Sequence, residues 1–244
     1  MSWSGRTVVV VSAHLDDAVL SLGATVAELV RGGARVKLVT VFAGNPASNL
    51  PVGGWDGLGG FRTEGEASTA RRREDEEACG IVGAVPVWLP FSEADYREGI
   101  NEAGIVAALA PELAAADAAL APGFPLMNPD HAVVARLVLG NPPPGRLGLY
   151  AEQPYRYWVR ATQPKLTLPD SVVIANGWTR RRAQPALLRT KRRAIRAYAS
   201  QLRLLGLIGR RNLRLDRMLL HELAKGGEAI AWLPEATTQP RSRS

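Results

Sequence analysis

Four consecutive valines, Val8 to Val11, constrain this chain more than any other feature. β-Branched side chains are stiff at χ1 and favour extended backbone. An unbroken apolar run, rather than an alternating one, suits a strand covered on both faces, as in a parallel sheet between two layers of helices. The spacing therefore predicts a buried strand over 7–13. At its end stand His14, Asp16 and Asp17, after which the chain turns apolar again at Ala18. Two adjacent carboxylates repel each other, and a strand end packed with valine is a poor solvent for charge. A nearby cation would relieve both problems.

The rest of the chain alternates in the same way. Periodicity predicts a helix over 18–31, ended by Gly32 and Gly33, and a strand over 34–42. The glycine-rich stretch 43–67 has no regular period, and loops this long inside compact domains are usually functional or mobile. A charged helix is expected over 68–82, then a strand at 86–91, an alanine-rich helix over 101–116 and a brief strand at 117–122. Another helix opens near His131 and a strand follows over 146–155. Helices over 187–204 and 212–224 and a strand over 229–234 complete the pattern, leaving 237–244 as a disordered tail. Strands alternating with helices imply one α/β domain with a mostly parallel central sheet and helices on both faces. In such sheets ligands bind beyond the carboxyl ends of the strands, which is where His14, Asp16 and Asp17 fall.

Composition excludes several classes. With 244 residues, 46% hydrophobic and 22% charged, the chain can fill one core without needing two. Cys79 is the only cysteine, so an internal disulfide and a cysteine-based zinc site are both ruled out; its expected role is a packed small hydrophobe. The apolar run 7–13 is too short for a signal peptide and no run reaches the length of a membrane span, so a soluble cytoplasmic protein without a membrane partner is expected. The net charge of +7 owes much to arginines between Arg180 and Arg217. Ile195, Tyr198, Leu202 and Leu205 recur among them as in an amphipathic helix packed on a core. The stripe lacks the interleaved aromatics of a nucleic-acid binder, and no nucleic-acid partner is expected. Attraction of an anionic substrate is a further use for such a stripe.

His14 and an aspartate three residues on, at a turn into a helix, can converge on one metal ion, and zinc commonly takes three N/O ligands with a position left for water. A third ligand should come from another strand end. Of the three histidines, His131 follows the brief strand 117–122 and opens a helix, as His14 does after its own strand. His221 sits mid-helix among leucines and reads as packing. Capping competes as an explanation: Asp16 or Asp17 can cap the helix at 18–31, and Asp130 the helix that His131 opens. Two aspartates with a histidine at one strand end, and a second histidine at another, are harder to explain as caps. Spacing alone leaves both readings open.

These residues resemble the zinc-dependent LmbE-like or PIG-L-like N-acetylglucosaminyl deacetylases. That family's first motif, Ala-His-Pro-Asp-Asp-Glu, stands here as Ala13-His14-Leu15-Asp16-Asp17-Ala18, and its second, His-Pro-Asp-His, as Asn128-Pro129-Asp130-His131. Weaker echoes are Arg71 and Glu74 in an Arg-x-x-Glu helix, and Lys191, Ala194, Ser200 and Gln201 in a late Lys-x-x-Ala…Ser-Gln segment. The stretch Val39 to Pro46, followed by Trp55 to Phe61, is similar to members working in antibiotic pathways.

The resemblance implies a single Rossmann-like domain over 1–236 that removes an N-acetyl group from an amino-sugar-containing small molecule, such as an N-acetylated glycoside of secondary metabolism. It implies zinc, with Fe2+ as the other candidate, held by His14, Asp17 and His131, and Asp16 as general base. It implies Arg71 as the contact to substrate hydroxyls or phosphate. In the long loop 43–67, Trp55 and Phe61 either roof the site and stack on sugar or aglycone or anchor the loop to the core, and Glu152 and Tyr155 are further candidates near the same sheet edge. Leu15 in place of proline changes loop stiffness, and Ala18 in place of glutamate removes a supporting hydrogen bond. Asn128 replaces the histidine that assists the oxyanion; its amide still donates a hydrogen bond but carries no charge. Asp130, His221 or a tyrosine are the groups able to compensate. An amidase of a glycosylated thiol conjugate and a catalytically degenerate sugar-binding member are the alternatives.

Overall fold

The structure, a computed structural model, describes residues 3–158, 178–207 and 213–234. The valine run forms β1 (Thr7–Ser12), the middle of five parallel strands in a sheet that has seven strands among the described residues. β2 (Arg35–Thr40) and β3 (Val85–Trp88) lie to one side of it. β4 (Ala118–Phe124) and β5 (Arg146–Ala151) lie to the other, and these five strands are parallel. Beyond β5 the sheet is antiparallel: β7 (Glu228–Trp232) pairs with both β5 and the edge strand β6 (Trp178–Arg181).

Alternation along β1 feeds two cores. Val8 and Val10 join the core built with α1 (Asp17–Arg31), α3 (Glu64–Val82), α7 (Pro185–Ile195) and α9 (Leu213–Ala224), where Cys79 is also buried. Val9 and Val11 join the opposite core with α4 (Glu102–Ala114) and α5 (Pro129–Gly140). Both faces are thus covered, as the unbroken apolar run requires.

The chain leaves β1 for β2 and β3 on one side and returns to β4 on the other, so the strand order reverses between β1 and β4. An open α/β sheet has its crevice at that switch point. His14 follows β1 and His131 follows β4, so the two motifs meet there.

Several elements depart from the sequence pattern. The stretch 43–67 contains a short helix, α2 (Gly54–Leu58), and α3 starts at Glu64 rather than 68. Thr63 caps α3, its hydroxyl accepting from the Glu66 N–H while the Glu66 carboxylate accepts from the Arg62 N–H. This resembles a capping box, and Gly65 hides it from a periodicity reading. The helix expected over 187–204 is two, α7 and α8 (Ala199–Leu204). At the break the Tyr198 hydroxyl donates to Asp75 and the Ser200 N–H to Glu74, so contacts with α3 override helical continuity. The strand expected over 146–155 stops at Ala151 and gives way to α6 (Tyr155–Trp158). β6 was not expected from its charged, exposed residues. Ile195, Tyr198 and Leu202 are buried, as an amphipathic reading of the basic stripe requires. Among the described residues no helix is long and apolar enough to cross a membrane. The expected tail 237–244 lies outside the described residues.

Candidate metal centre and its pocket

His14, Asp17 and His131 converge at the switch point. His14 Nδ1 and His131 Nε2 are 3.1 Å apart, Asp17 Oδ2 is 3.2 Å from His131 Nε2, and it is 3.4 Å from His14 Nδ1. For zinc with ligands at roughly 2.0–2.1 Å in a tetrahedral arrangement, neighbouring donors lie about 3.3 Å apart. The three atoms therefore form a triangle of the size of one face of such a site.

Each imidazole is oriented by a carboxylate on its other nitrogen. His14 Nε2 faces Asp130 Oδ2 at 3.1 Å, and the other oxygen of Asp130 accepts from the Arg97 guanidinium. Arg97 in turn stacks over Phe42, with Cζ 4.4 Å from the ring centroid. His131 Nδ1 contacts Glu152, whose second oxygen accepts the Leu126 N–H at 2.9 Å. Carboxylate partners of this kind fix the ring and raise the basicity of the nitrogen left facing a metal. The donor set, its spacing and its supports all fit a divalent transition metal; N/O ligands of this type suit both zinc and iron.

The electrostatics point the same way. Burial opposes protonation of His14, yet the charges of Glu93, Asp130 and Asp17 push its pKa up to about 9. His131 is likewise raised, against burial, by Asp17 and Glu152. Asp17 is itself buried, but the cationic imidazoles hold it well below the usual carboxylate range, His131 foremost. These groups favour positive charge at one point. Asp16 behaves in the opposite way: burial, and then the charge of Asp17, push its carboxyl well above the ordinary value. Asp16 also has φ of 110°, a strained value for a residue with a Cβ, and its side chain makes no capping bond to α1. Asp16 occupies the N-cap position of α1 without a side-chain capping bond, and Asp17, the first helical residue, turns Oδ2 back to accept the N–H of His14 at 2.9 Å.

At the second motif the cap is Asn128, not Asp130. Asn128 Oδ1 accepts the Asp130 N–H at 2.9 Å, and α5 begins at Pro129. Asp130 is thereby free to support His14.

A cavity of about 330 Å³ opens above the three donors. Its lining combines polar groups, Asp16, Arg71, Glu93 and Asp130, with apolar and aromatic ones, Leu20, Trp55, Tyr155 and Trp158. Arg71 is buried and donates to Glu93 at 2.5 Å and to Asp56 at 3.4 Å. Trp55 is 37% exposed yet held in place, its indole N–H donating to Gln201 Oε1 at 2.7 Å. Gln201 donates to Ser200, and the Ser200 hydroxyl donates to Glu74, so Arg71 and Glu74 on α3 both reach this pocket, one directly and one through a relay. Tyr155 stands edge-on to His131, with ring centroids 5.4 Å apart. Burial and the charges of Asp17 and Asp16 raise its phenol above the ordinary value, so the hydroxyl keeps its proton.

Of the expected site residues, His14, Asp16, Asp17, Trp55, Arg71 and Asn128 line this cavity, and His131 lies fully buried behind it. Phe61 is not among the lining residues, and His221 lies on α9 against Tyr157. Glu93 and Arg97 were missed altogether. They sit in an irregular stretch beside a short 3-10 turn at Ala94–Tyr96, where no period or motif marks them. Glu152 was placed near the site because it follows β5, but its pairing with His131 is visible only in three dimensions.

Three comparisons bear on this arrangement. A family model described as PIG-L, GlcNAc-PI de-N-acetylase, matches residues 9–140. The 2'-N-acetylparomamine deacetylase of Niallia circulans is 34% identical over 111 residues, 40% of this chain and 40% of that protein. The 1D-myo-inositol 2-acetamido-2-deoxy-alpha-D-glucopyranoside deacetylase of Mycobacteroides abscessus is 35% identical over 97 residues, 37% of this chain and 34% of that protein. The chain thus spans about two fifths or less of the length of these curated relatives. A deacetylase triple mutant of the teicoplanin biosynthetic pathway has a similar fold, with a TM-score of 0.79 at 23% identity over 96% of this chain and all of that one.

Proposed function

The chain belongs to the PIG-L family, and on that premise we propose that it is a metal-dependent hydrolase removing an N-acetyl group from an amino sugar within a small glycosylated molecule of secondary metabolism. The observation that carries this reading is the triangle of His14 Nδ1, Asp17 Oδ2 and His131 Nε2, with each imidazole backed by a carboxylate. Zinc is the metal we favour over iron, for the match of donor spacing to a tetrahedral face. Such an ion, when bound, supplies Lewis acidity toward an amide carbonyl and lowers the pKa of water.

The residues of the chain then divide the work. Asp16 lines the cavity beside Asp17, its carboxylate makes no hydrogen bond among the described residues, and burial raises its pKa. It is placed to take a proton from the attacking water and to return it to the leaving amine. Asn128 presents its amide to the same cavity as a neutral donor. Arg71 is held by Glu93 and Asp56 in the cavity lining, where it can hydrogen-bond substrate hydroxyls. Trp55 offers a fixed aromatic face for stacking on a sugar ring or an aglycone. The relatives named for deacetylation of paromamine and inositol conjugates support an N-acetylated glucosamine unit as the common part of the substrate. We propose a cytoplasmic location for the protein.

The test is a panel of amides: N-acetylglucosamine, its 4-nitrophenyl glycoside and N-acetylated aminocyclitol glycosides. Amine and acetate release would be measured together with bound metal. About one metal per chain and stoichiometric release of acetate and amine support the reading. Metal without hydrolysis of any panel member refutes it.

A further inference from the structure

Amide hydrolysis places negative charge on the carbonyl oxygen, and a donor aimed at that oxygen is among the largest contributors to rate. Asn128 can offer only a neutral donor for this task, since an amide carries no charge and its carbonyl oxygen is committed to the N-terminus of α5. Only its amide hydrogens remain.

Each group able to compensate has a definite place. Asp130 is an acceptor on both oxygens, toward His14 and Arg97, and has no hydrogen to give. His221 is on α9, its ring edge-on to Tyr157, and does not line the cavity. Tyr155 does line it, standing edge-on to His131 at an interplanar angle of 88°. Asn128 lines the same cavity beside it.

Tyr155 is also held rigidly. Trp158 packs edge-on against it at 5.5 Å. The chain just before it is pinned twice. Glu152 bonds to His131 and to the Leu126 N–H, and the Gln153 N–H donates to Ser21 Oγ at 3.0 Å. A donor held this way needs little reorganisation during reaction, the condition under which such groups contribute most.

We propose that Tyr155, which lines the cavity with Asn128 and stands against His131, is the hydrogen-bond donor to the oxyanion, and that it replaces the charged helper a histidine at position 128 would provide. The inference rests on the hydrolase reading above. When water attacks, its oxygen bonds to the carbonyl carbon, the π pair moves to the carbonyl oxygen, and Asp16 receives the proton. Tyr155 donates a hydrogen bond to that oxygen and keeps its own proton throughout. The pair then returns, the carbon–nitrogen bond breaks, and the proton on Asp16 passes to the nitrogen, giving the free amine and acetic acid, which loses its remaining proton to solvent as acetate.

Tyr155→Phe removes the hydroxyl and keeps the ring on His131. With the fastest amide of the panel, kcat is expected to fall about 10²-fold with KM within about threefold. Bound metal per chain should stay unchanged. Affinity for a methylphosphonamidate analogue, whose tetrahedral anionic group mimics the oxyanion, should fall by a similar factor in calorimetry. Asn128→Ser keeps a capping oxygen but removes the amide donor, and should lose about tenfold in the same two readouts. An active parent with parent-like turnover and analogue binding in Tyr155→Phe overturns this assignment alone. A parent inert toward every amide overturns the hydrolase reading, and the assignment falls with it.

Discussion

Helix α1 touches two buried clusters of charge that could hardly be built more differently. At its N-terminus stand Asp16, Asp17, His14 and His131, with Asp130 and Glu152 behind them. Midway along it, Lys191 is fully buried, its ammonium donating to both oxygens of Glu222 at 2.9 and 3.0 Å and to Glu228 at 2.8 Å. Glu228 also accepts the N–H groups of Ala24 and Thr25, and Glu222 accepts from Gln153. This second cluster is closed: its cation is surrounded, and its carboxylates turn their oxygens to protein donors. The first is open. Two imidazole nitrogens and a carboxylate oxygen face a common point, and carboxylates outnumber cations around it. Buried charge costs several kcal/mol per ion unless compensated. A cluster compensated by its own members is scaffold, whereas one that converges its donors on a shared point is a site for an external ion.

That contrast can be broken experimentally, and the largest effect is expected at the open cluster. His131→Ala should reduce bound metal from about one per chain to near zero and turnover by on the order of 10³-fold, read by mass spectrometry and acetate release. Chelation should do the same to turnover while far-UV circular dichroism stays native, because the two apolar cores that hold the sheet and its helices are built without the donors. If chelation unfolds the chain, the open cluster is scaffold too and the distinction fails.

Lys191→Met should behave in the reverse manner. It strands two buried carboxylates, and about 3–5 kcal/mol of unfolding free energy should be lost in urea titrations. The metal-binding donors are untouched, so the fraction that remains folded should still bind about one metal. A variant with parent-like stability would mean that the closed cluster is not holding α1, α7 and α9 together.

The closed cluster also predicts a pH response. Burial alone would lower the Lys191 pKa, but Glu222 and Glu228 raise it above the ordinary 10.5. A cation stabilised in the folded state contributes fully below the unfolded pKa and is lost as pH rises through the folded value. Unfolding free energy should therefore fall as pH rises above about 10.5, more steeply in the parent than in Lys191→Met. Equal slopes in the two proteins would count against the pairing.

The smallest effect should be at the pocket's edge. Gln201→Leu releases the Trp55 indole without touching the donors, so KM for a 4-nitrophenyl glycoside should rise about three- to tenfold with little change in kcat. An equal fall in kcat instead would move Trp55 from binding to chemistry.

Much of this was legible in one dimension. Val8 to Val11 demanded a strand covered on both faces, and the alternation that followed demanded helices to cover it. Strand ends are where an open α/β sheet binds ligands, so His14, Asp17 and His131 could be singled out by position and residue type, and Glu152 could be placed near them. Local backbone chemistry was harder to read. Gly65 masked the helix start at Glu64, and the break before Ala199 comes from Asp75 and Glu74 on a distant helix.

The sequence by itself determined which residues lie at the carboxyl edge of the sheet, because apolar period and strand length are local properties. Only the tertiary structure decided which of them meet. The reversal of strand order between β1 and β4 brings together His14 and His131, 117 positions apart. The same folding assigns Asp130 and Glu152 to opposite imidazoles, frees Asp130 by making Asn128 the cap, and sets Tyr155 beside Asn128 at the site. Pairings of this kind depend on the directions of side chains carried by separate elements, and no spacing along one chain encodes them.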